Sequence, residues 1–96
     1  MPTIPLPVAS AFARAYQAWG DIEITDAFIM SEMSRCPPWP DAHRKLNDVN
    51  TDATIAFCRA LDELAGSLEL PRRPNWEAWD FIAYAREIKR RGWVTA

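Results

Sequence analysis

The chain is poor in the residues on which small catalytic, metal-binding and disulfide-linked domains depend. Its 96 residues include one histidine, His43, two cysteines and three glycines. Cys36 and Cys58 lie too far apart for a metal-knuckle spacing and are too few for a disulfide framework, so we interpret both as reduced thiols. The glycines stand singly, which argues against a phosphate-binding loop. We therefore expect a non-enzymatic protein with no metal and no cofactor.

Long apolar runs and an N-terminal cluster of positive charge are also missing. No positive charge precedes Arg14, and no long apolar run follows it. The sequence therefore lacks the layout of a signal peptide or a membrane span. The formal net charge of −2 gives no overall attraction to nucleic acid or to anionic lipid. We expect a cytoplasmic protein that binds no membrane, and nucleic-acid binding would require a local basic patch.

The sequence does contain helical periodicity. Apolar residues recur at the spacing i, i+3, i+4, i+7, and no alternation of apolar and polar residues is long enough for a strand. We predict an all-α fold, a compact bundle of four main helices with one short extra helix, forming a single domain over residues 1–96. Prolines predict an extended N-terminal arm over residues 1–6 and a stiff connector over residues 71–74.

Glycines and capping residues set the boundaries that we predict in the first third of the chain. Helix 1 is expected to begin near Pro7 and to end at Gly20. Helix 2 is expected to run from Thr25 or Asp26 to about Arg35.

The same signals predict the middle of the chain. A short helix over residues 41–48 should precede helix 3, which Asn50 or Thr51 would cap. Helix 3 would end at Leu68, or one turn earlier at Gly66.

Helix 4 is expected to be capped by Asn75 and to stop at Gly92. Glu77 would lie in its first turn, and the bases Lys89, Arg90 and Arg91 would lie in its last turn. Both ends would then suit the helix dipole.

Helix 4 and its connector concentrate tryptophan and basic residues. Residues 71–93 hold three of the five tryptophans and six of the eleven lysines and arginines. At about 100° per residue, the apolar residues of helix 4 separate from a second row of aromatic and basic residues. The predicted core stripe is Ala78, Phe81, Ile82, Ala85 and Ile88. The second row is Trp79, Arg86 and Arg90, with Trp76 beside it.

Exposed tryptophan and arginine are enriched at binding hot spots, so this row is our candidate partner-binding site. The candidate residues are Trp76, Trp79, Arg86, Lys89 and Arg90, together with Trp39 from the proline-rich segment. In the alternative interpretation, the N-terminal arm or the short helix covers the two tryptophans, and the bases are merely solvated.

The leading functional hypothesis is a protein–protein interaction module that docks on another protein through helix 4. Compact chains without motifs are typical of phage or mobile-element products, and by that analogy alone we expect an inhibitor or adaptor of a host machine, similar to an anti-CRISPR protein. The alternative is a nucleic-acid-binding or regulatory domain in which Arg72, Arg73 and Arg91 contact phosphates. A homodimer is also open, either with the acidic N-terminal third against the basic helix of a second copy or with the apolar N-terminal helices as its seam. Helices 1 and 2 offer too few donors for a helix-turn-helix.

Overall fold

The computed structural model describes residues 3–33 and 40–93, apart from the side chains of residues 32, 33 and 40–43. The fold is all-α, with helices α1 (Leu6–Met33), α2 (Pro40–Ser67) and α3 (Ala78–Arg90). The first two helices have 28 residues each and form an antiparallel hairpin. The third has 13 residues and packs across one end of that hairpin, so the molecule is elongated, at 56 × 26 × 18 Å.

The seam of the hairpin explains why two such long helices form. Buried residues on α1 recur at intervals of three and four, which is the spacing that keeps one side of a helix against an antiparallel neighbour. They are Val8, Ala11, Ala15, Ala18 and Thr25, with Ile22 partly buried between them. The buried residues of α2 are Ala53, Phe57, Ala60, Leu61, Leu64 and Ala65, and Leu68 lies just beyond its end. The many alanines allow the two backbones to approach closely.

The prediction of four main helices is wrong, because predicted helices 1 and 2 are one continuous helix. Gly20 lies inside α1 and does not adopt the positive φ of a helix-ending glycine. The seam continues past it through Ile22 and Thr25, and most helical stability in proteins comes from such packing. That packing outweighs the cost of about 1 kcal/mol for an interior glycine. The continuous helix also confirms that no helix-turn-helix forms there.

The predicted short helix over residues 41–48 and predicted helix 3 are likewise one helix, so Asn50 and Thr51 cap nothing. The side-chain amide of Asn50 donates to Thr25 Oγ1 at 2.7 Å and to Asp26 Oδ1 at 3.0 Å. The group that would have capped a new helix therefore joins α2 to α1.

The end of α2 also differs from the prediction that Gly66 stops it early. The helix continues to Ser67, one residue short of the later alternative at Leu68. Glu69 then adopts a left-handed φ of 58°, and the N–H of Leu70 donates to the carbonyl of Ala65 at 2.8 Å. The turn is therefore made by a non-glycine residue just past the helix.

Short non-helical segments precede α1 and separate α2 from α3. Leu6, the last residue of the predicted arm, is already helical, and Ile4 packs partly against the core. Residues 71–74 belong to the non-helical segment between α2 and α3. No helix within the described ranges is long and apolar enough to cross a membrane.

Candidate interaction surface

A buried carboxylate fixes the start of α3. The N-cap residue is Glu77, in extended conformation, so the prediction that Asn75 caps this helix is wrong. The carboxylate of Asp80 accepts the backbone N–H of Glu77 at 2.9 Å, which is half of a capping box. Its other oxygen lies 3.0 Å from Nε of Arg73, although Asp80 itself is only 7% exposed. Asp80 therefore holds both the helix start and the connector.

Phe81 attaches α3 to the hairpin. Its ring stacks on Phe12 at 5.0 Å between centroids and meets Trp19 at 5.8 Å and Phe57 at 6.0 Å. Because these partners come from both long helices, one side chain sets the position of α3.

The buried side of α3 is rotated relative to the predicted core stripe. Phe81 is buried, and Ala85 and Ile88 are partly buried, as the pattern requires. Ala78 and Ile82 were wrongly assigned to the core, because both are exposed. Tyr84 occupies the core instead and is 7% exposed, and burial raises the pKa of its phenol. The predicted core stripe did not include Tyr84.

Trp76 lies apart from the exposed row. Its indole N–H donates to Oδ1 of Asp62 on α2 at 2.7 Å, and its ring packs against Tyr84 at 5.7 Å. The indole is partly buried against the core. Trp76 thus joins the segment before α3 to α2, with Asp62 as its acceptor.

Trp79 has the opposite environment. It is 76% exposed, so the described residues of the N-terminal arm and of α2 do not cover it. Ile82 is 37% exposed one turn further along, and Arg86 and Lys89 are exposed beyond it. At 1.5 Å per residue these four side chains span about 15 Å of one side of the helix. We call Trp79, Ile82, Arg86 and Lys89 the α3 surface. Sequence reasoning missed Ile82 as a member because it was assigned to the core.

The positive charge of this surface is not internally neutralised. Arg86 and Lys89 make no ion pair or hydrogen bond with any of the described residues. Together with Trp79 they place an aromatic ring and two free cations on one exposed strip, while Phe81 anchors the other side of the helix.

Arg90, by contrast, is engaged by Glu87. Its Nε donates to Oε2 of Glu87 at 2.9 Å, and Nε of Arg91 donates to Oε1 at 3.0 Å. These hydrogen bonds lower the pKa of Glu87 from its ordinary 4.5 to about 2, and the hydrogen bond from Arg90 has the largest effect. The predicted Trp79, Arg86 and Arg90 row therefore contains one cation that is already paired with a carboxylate of its own chain.

The end of α3 follows the prediction closely. Lys89 and Arg90 lie in its last turn, and Gly92 adopts a left-handed φ of 72°. Arg91 also donates to the carbonyl of Leu68 at 2.8 Å and lies 5.3 Å from the centre of the Trp93 ring. Arg91 thus ties the end of α3 to the end of α2.

The three predicted phosphate contacts fall into two groups. Arg73 is paired with Asp80 and Arg91 with Glu87, so both carry their charge against a carboxylate of the same chain. Arg72 is exposed, and its guanidinium lies close to Gly66. The structure therefore does not gather these arginines into one patch of free charge.

Several predicted residues lie beyond this description. Trp39 and Cys36 are outside the described residues, and so is the side chain of His43. Cys58 is a free, half-buried thiol on α2. Within the described part of the chain, no group of three or more potential metal ligands occurs.

No family model, curated protein or solved structure matches the chain. We therefore infer a function from the chemistry of the α3 surface.

Proposed function

We propose that this chain is a non-enzymatic protein–protein interaction module that docks on another protein through the α3 surface. The observation that carries the proposal is the 76% exposure of Trp79 on a helix whose opposite side is fixed in the core. A large apolar ring left in water beside free cations has the composition of a binding hot spot. Its backbone is already ordered by Phe81, so docking would cost little conformational entropy.

The chemistry of the α3 surface defines the partner that it would fit. Trp79 and Ile82 need an apolar depression, and Arg86 and Lys89 need acidic groups at its rim. The cations would steer association, so the association rate should fall as salt rises. That the partner is a host machine blocked by a phage or mobile-element product stays a prediction by analogy.

The contribution of Trp79 to the binding free energy follows from its exposed area. A tryptophan buries roughly 150–250 Å², of which about three quarters is still available here. At about 25 cal/mol per Å², complete burial contributes about 4 kcal/mol. After the entropic cost of ordering, we expect Trp79→Ala to weaken partner binding by about 2–3 kcal/mol, or roughly 30- to 150-fold.

The test is affinity capture from a host extract, followed by titration of the captured protein against purified variants. Trp79→Ala and Arg86→Ala should each weaken binding, and a matched pair on α2, Ile55→Ala and Arg44→Ala, should not. Ile55 is also a large exposed apolar residue, and Arg44 is also exposed. Equal affinity of the folded Trp79→Ala variant and the wild type would refute the α3 surface as the docking site.

The nucleic-acid alternative has less support, because Arg73 and Arg91 already pair with carboxylates. Arg72, Arg86 and Lys89 would have to supply the phosphate contacts. Each phosphate contact steepens the salt dependence of binding. Fluorescence anisotropy with labelled duplex and single strands at low salt separates the two functions, since our proposal expects no binding there.

A further inference from the structure

The side of the hairpin opposite α3 carries a second open surface. A groove of about 500 Å³ runs between α1 and α2 there. Its floor includes the core residues Ala18, Ala53 and Ala60. Its edges are charged, with Arg14 and Asp21 on α1 and with Arg59 and Glu63 on α2.

Exposed apolar residues continue this groove toward the far end of the hairpin. Ile24, Phe28 and Val49 are 57%, 56% and 51% exposed. Phe28 is seven residues after Asp21, and Val49 is seven residues before Ala56, so each lies on the same side of its helix as a groove residue. We call the groove and these three residues the back surface.

The antiparallel register places Phe28 and Val49 side by side. Arg14 and Glu63 form an ion pair across the hairpin. Fourteen residues further along α1 is Phe28, and fourteen residues back along α2 is Val49. The two apolar side chains therefore lie level with each other, about 21 Å from the ion pair.

We infer that the back surface binds a second copy of this chain, and that the two hairpins form a symmetric four-helix bundle. In this dimer α1 of one copy packs antiparallel on α2 of the other, with the twofold axis along the hairpins. The contact is then the same surface on both copies, as twofold symmetry requires. Phe28 packs on Val49 of the second copy, and the reverse contact repeats it.

Charge complementarity selects a second copy as the occupant. In this arrangement Asp21 meets Arg59 of the second copy within about one turn. Arg59 has no ion pair among the described residues, and the carboxylate of Asp21 accepts a hydrogen bond from the side-chain amide of Gln17. Twofold symmetry would thus repeat the Asp21–Arg59 contact, so two such ion pairs would join the copies.

The size of the surface is sufficient. A pair of 28-residue helices offers a side about 40 Å long and about 20 Å wide. That area is comparable to the roughly 800 Å² per partner of a standard stable interface.

Sedimentation equilibrium of the purified chain over a wide concentration range tests this dimer. We expect a mass of twice the 11.0 kDa chain at high concentration. Phe28→Glu should raise the dimer dissociation constant at least about tenfold, because a carboxylate would be buried against apolar groups. Tyr16→Glu is the matched control and should leave the dimer intact, since Tyr16 is an equally exposed aromatic of α1 beside Phe81.

A charge exchange gives a second, independent readout. Arg59→Glu alone should weaken the dimer, and adding Asp21→Arg to the same chain should restore it. Trp79→Ala should leave the mass unchanged, so failure of the dimer and failure of the proposed function are separate results.

A wild-type chain that sediments as a monomer at every concentration would overturn the inference and leave the back surface to a different protein. Equal weakening by Tyr16→Glu, or no restoration by the double exchange, would overturn it too.

Discussion

Replacing Gly20 by alanine tests whether α1 is continuous, because the sign of the change in the free energy of unfolding differs between a helix interior and a helix end. Inside a helix, alanine is about 1 kcal/mol more favourable than glycine. A Cβ added at Gly20 meets nothing within 4 Å, so no clash offsets the gain. We expect Gly20→Ala to raise the free energy of unfolding by about 0.5–1 kcal/mol. For a domain of this length, that corresponds to roughly 2–8 °C in the melting temperature.

Thermal and urea unfolding followed by circular dichroism, at one protein concentration, measure the change. Gly92→Ala is the matched control, because Gly92 ends α3 at a φ of 72° that alanine adopts only with strain. A Cβ there also meets nothing within 4 Å, so conformation alone separates the two sites. Gly92→Ala should therefore destabilise the protein. If Gly20→Ala also destabilised it, Gly20 would be a helix-ending residue and the continuous α1 would be wrong.

Two further substitutions test the anchoring of α3. Phe81→Ala should cost about 3–5 kcal/mol in urea unfolding, because it removes a buried ring that lies against four others. The exposed Trp79→Ala should change the free energy of unfolding by less than about 0.5 kcal/mol. Similar losses in both variants would contradict this difference in burial. Glu87→Gln should flatten the pH dependence of the free energy of unfolding, because the folded state lowers the pKa of Glu87 to about 2. The stability that the Glu87 carboxylate contributes is therefore fully present above about pH 4.5 and is lost as pH falls toward 2. Melting curves of both proteins from pH 7 to pH 2 measure this, and parallel curves would show that Glu87 is not the group responsible.

The all-α class and the end of α3 could be predicted from local signals. The apolar spacing is long and regular, and Gly92 follows a turn rich in bases, so neighbouring residues alone specify that helix end. The continuity of α1 and α2 could not be predicted in this way. It depends on contacts such as that of Asn50 with Thr25, which are 25 residues apart. A capping residue and a residue that bonds another helix look alike in the sequence.

The candidate surface was predicted in part for a similar reason. Helical projection separated Trp79 and Arg86 from Phe81, but it could not fix the rotation of α3 on the hairpin. That rotation depends on Asp80, which bonds the backbone of Glu77 on one side and Arg73 on the other. It turns Tyr84 inward and leaves Ile82 exposed. The aromatic and basic row therefore gains an apolar member that periodicity had assigned to the core.

The α3 surface and the back surface lie on opposite sides of one hairpin, so both can be occupied together. A dimer joined through the back surfaces would carry two α3 surfaces that face away from each other. If the partner is itself oligomeric, the second contact becomes intramolecular and avidity can exceed the single-site affinity by 10² or more. Phe28→Glu would then weaken capture of such a partner without touching the residues that bind it. Trp79→Ala would weaken binding at each α3 surface and leave the dimer intact, so the two variants distinguish the affinity of a single site from the gain in avidity that the dimer provides.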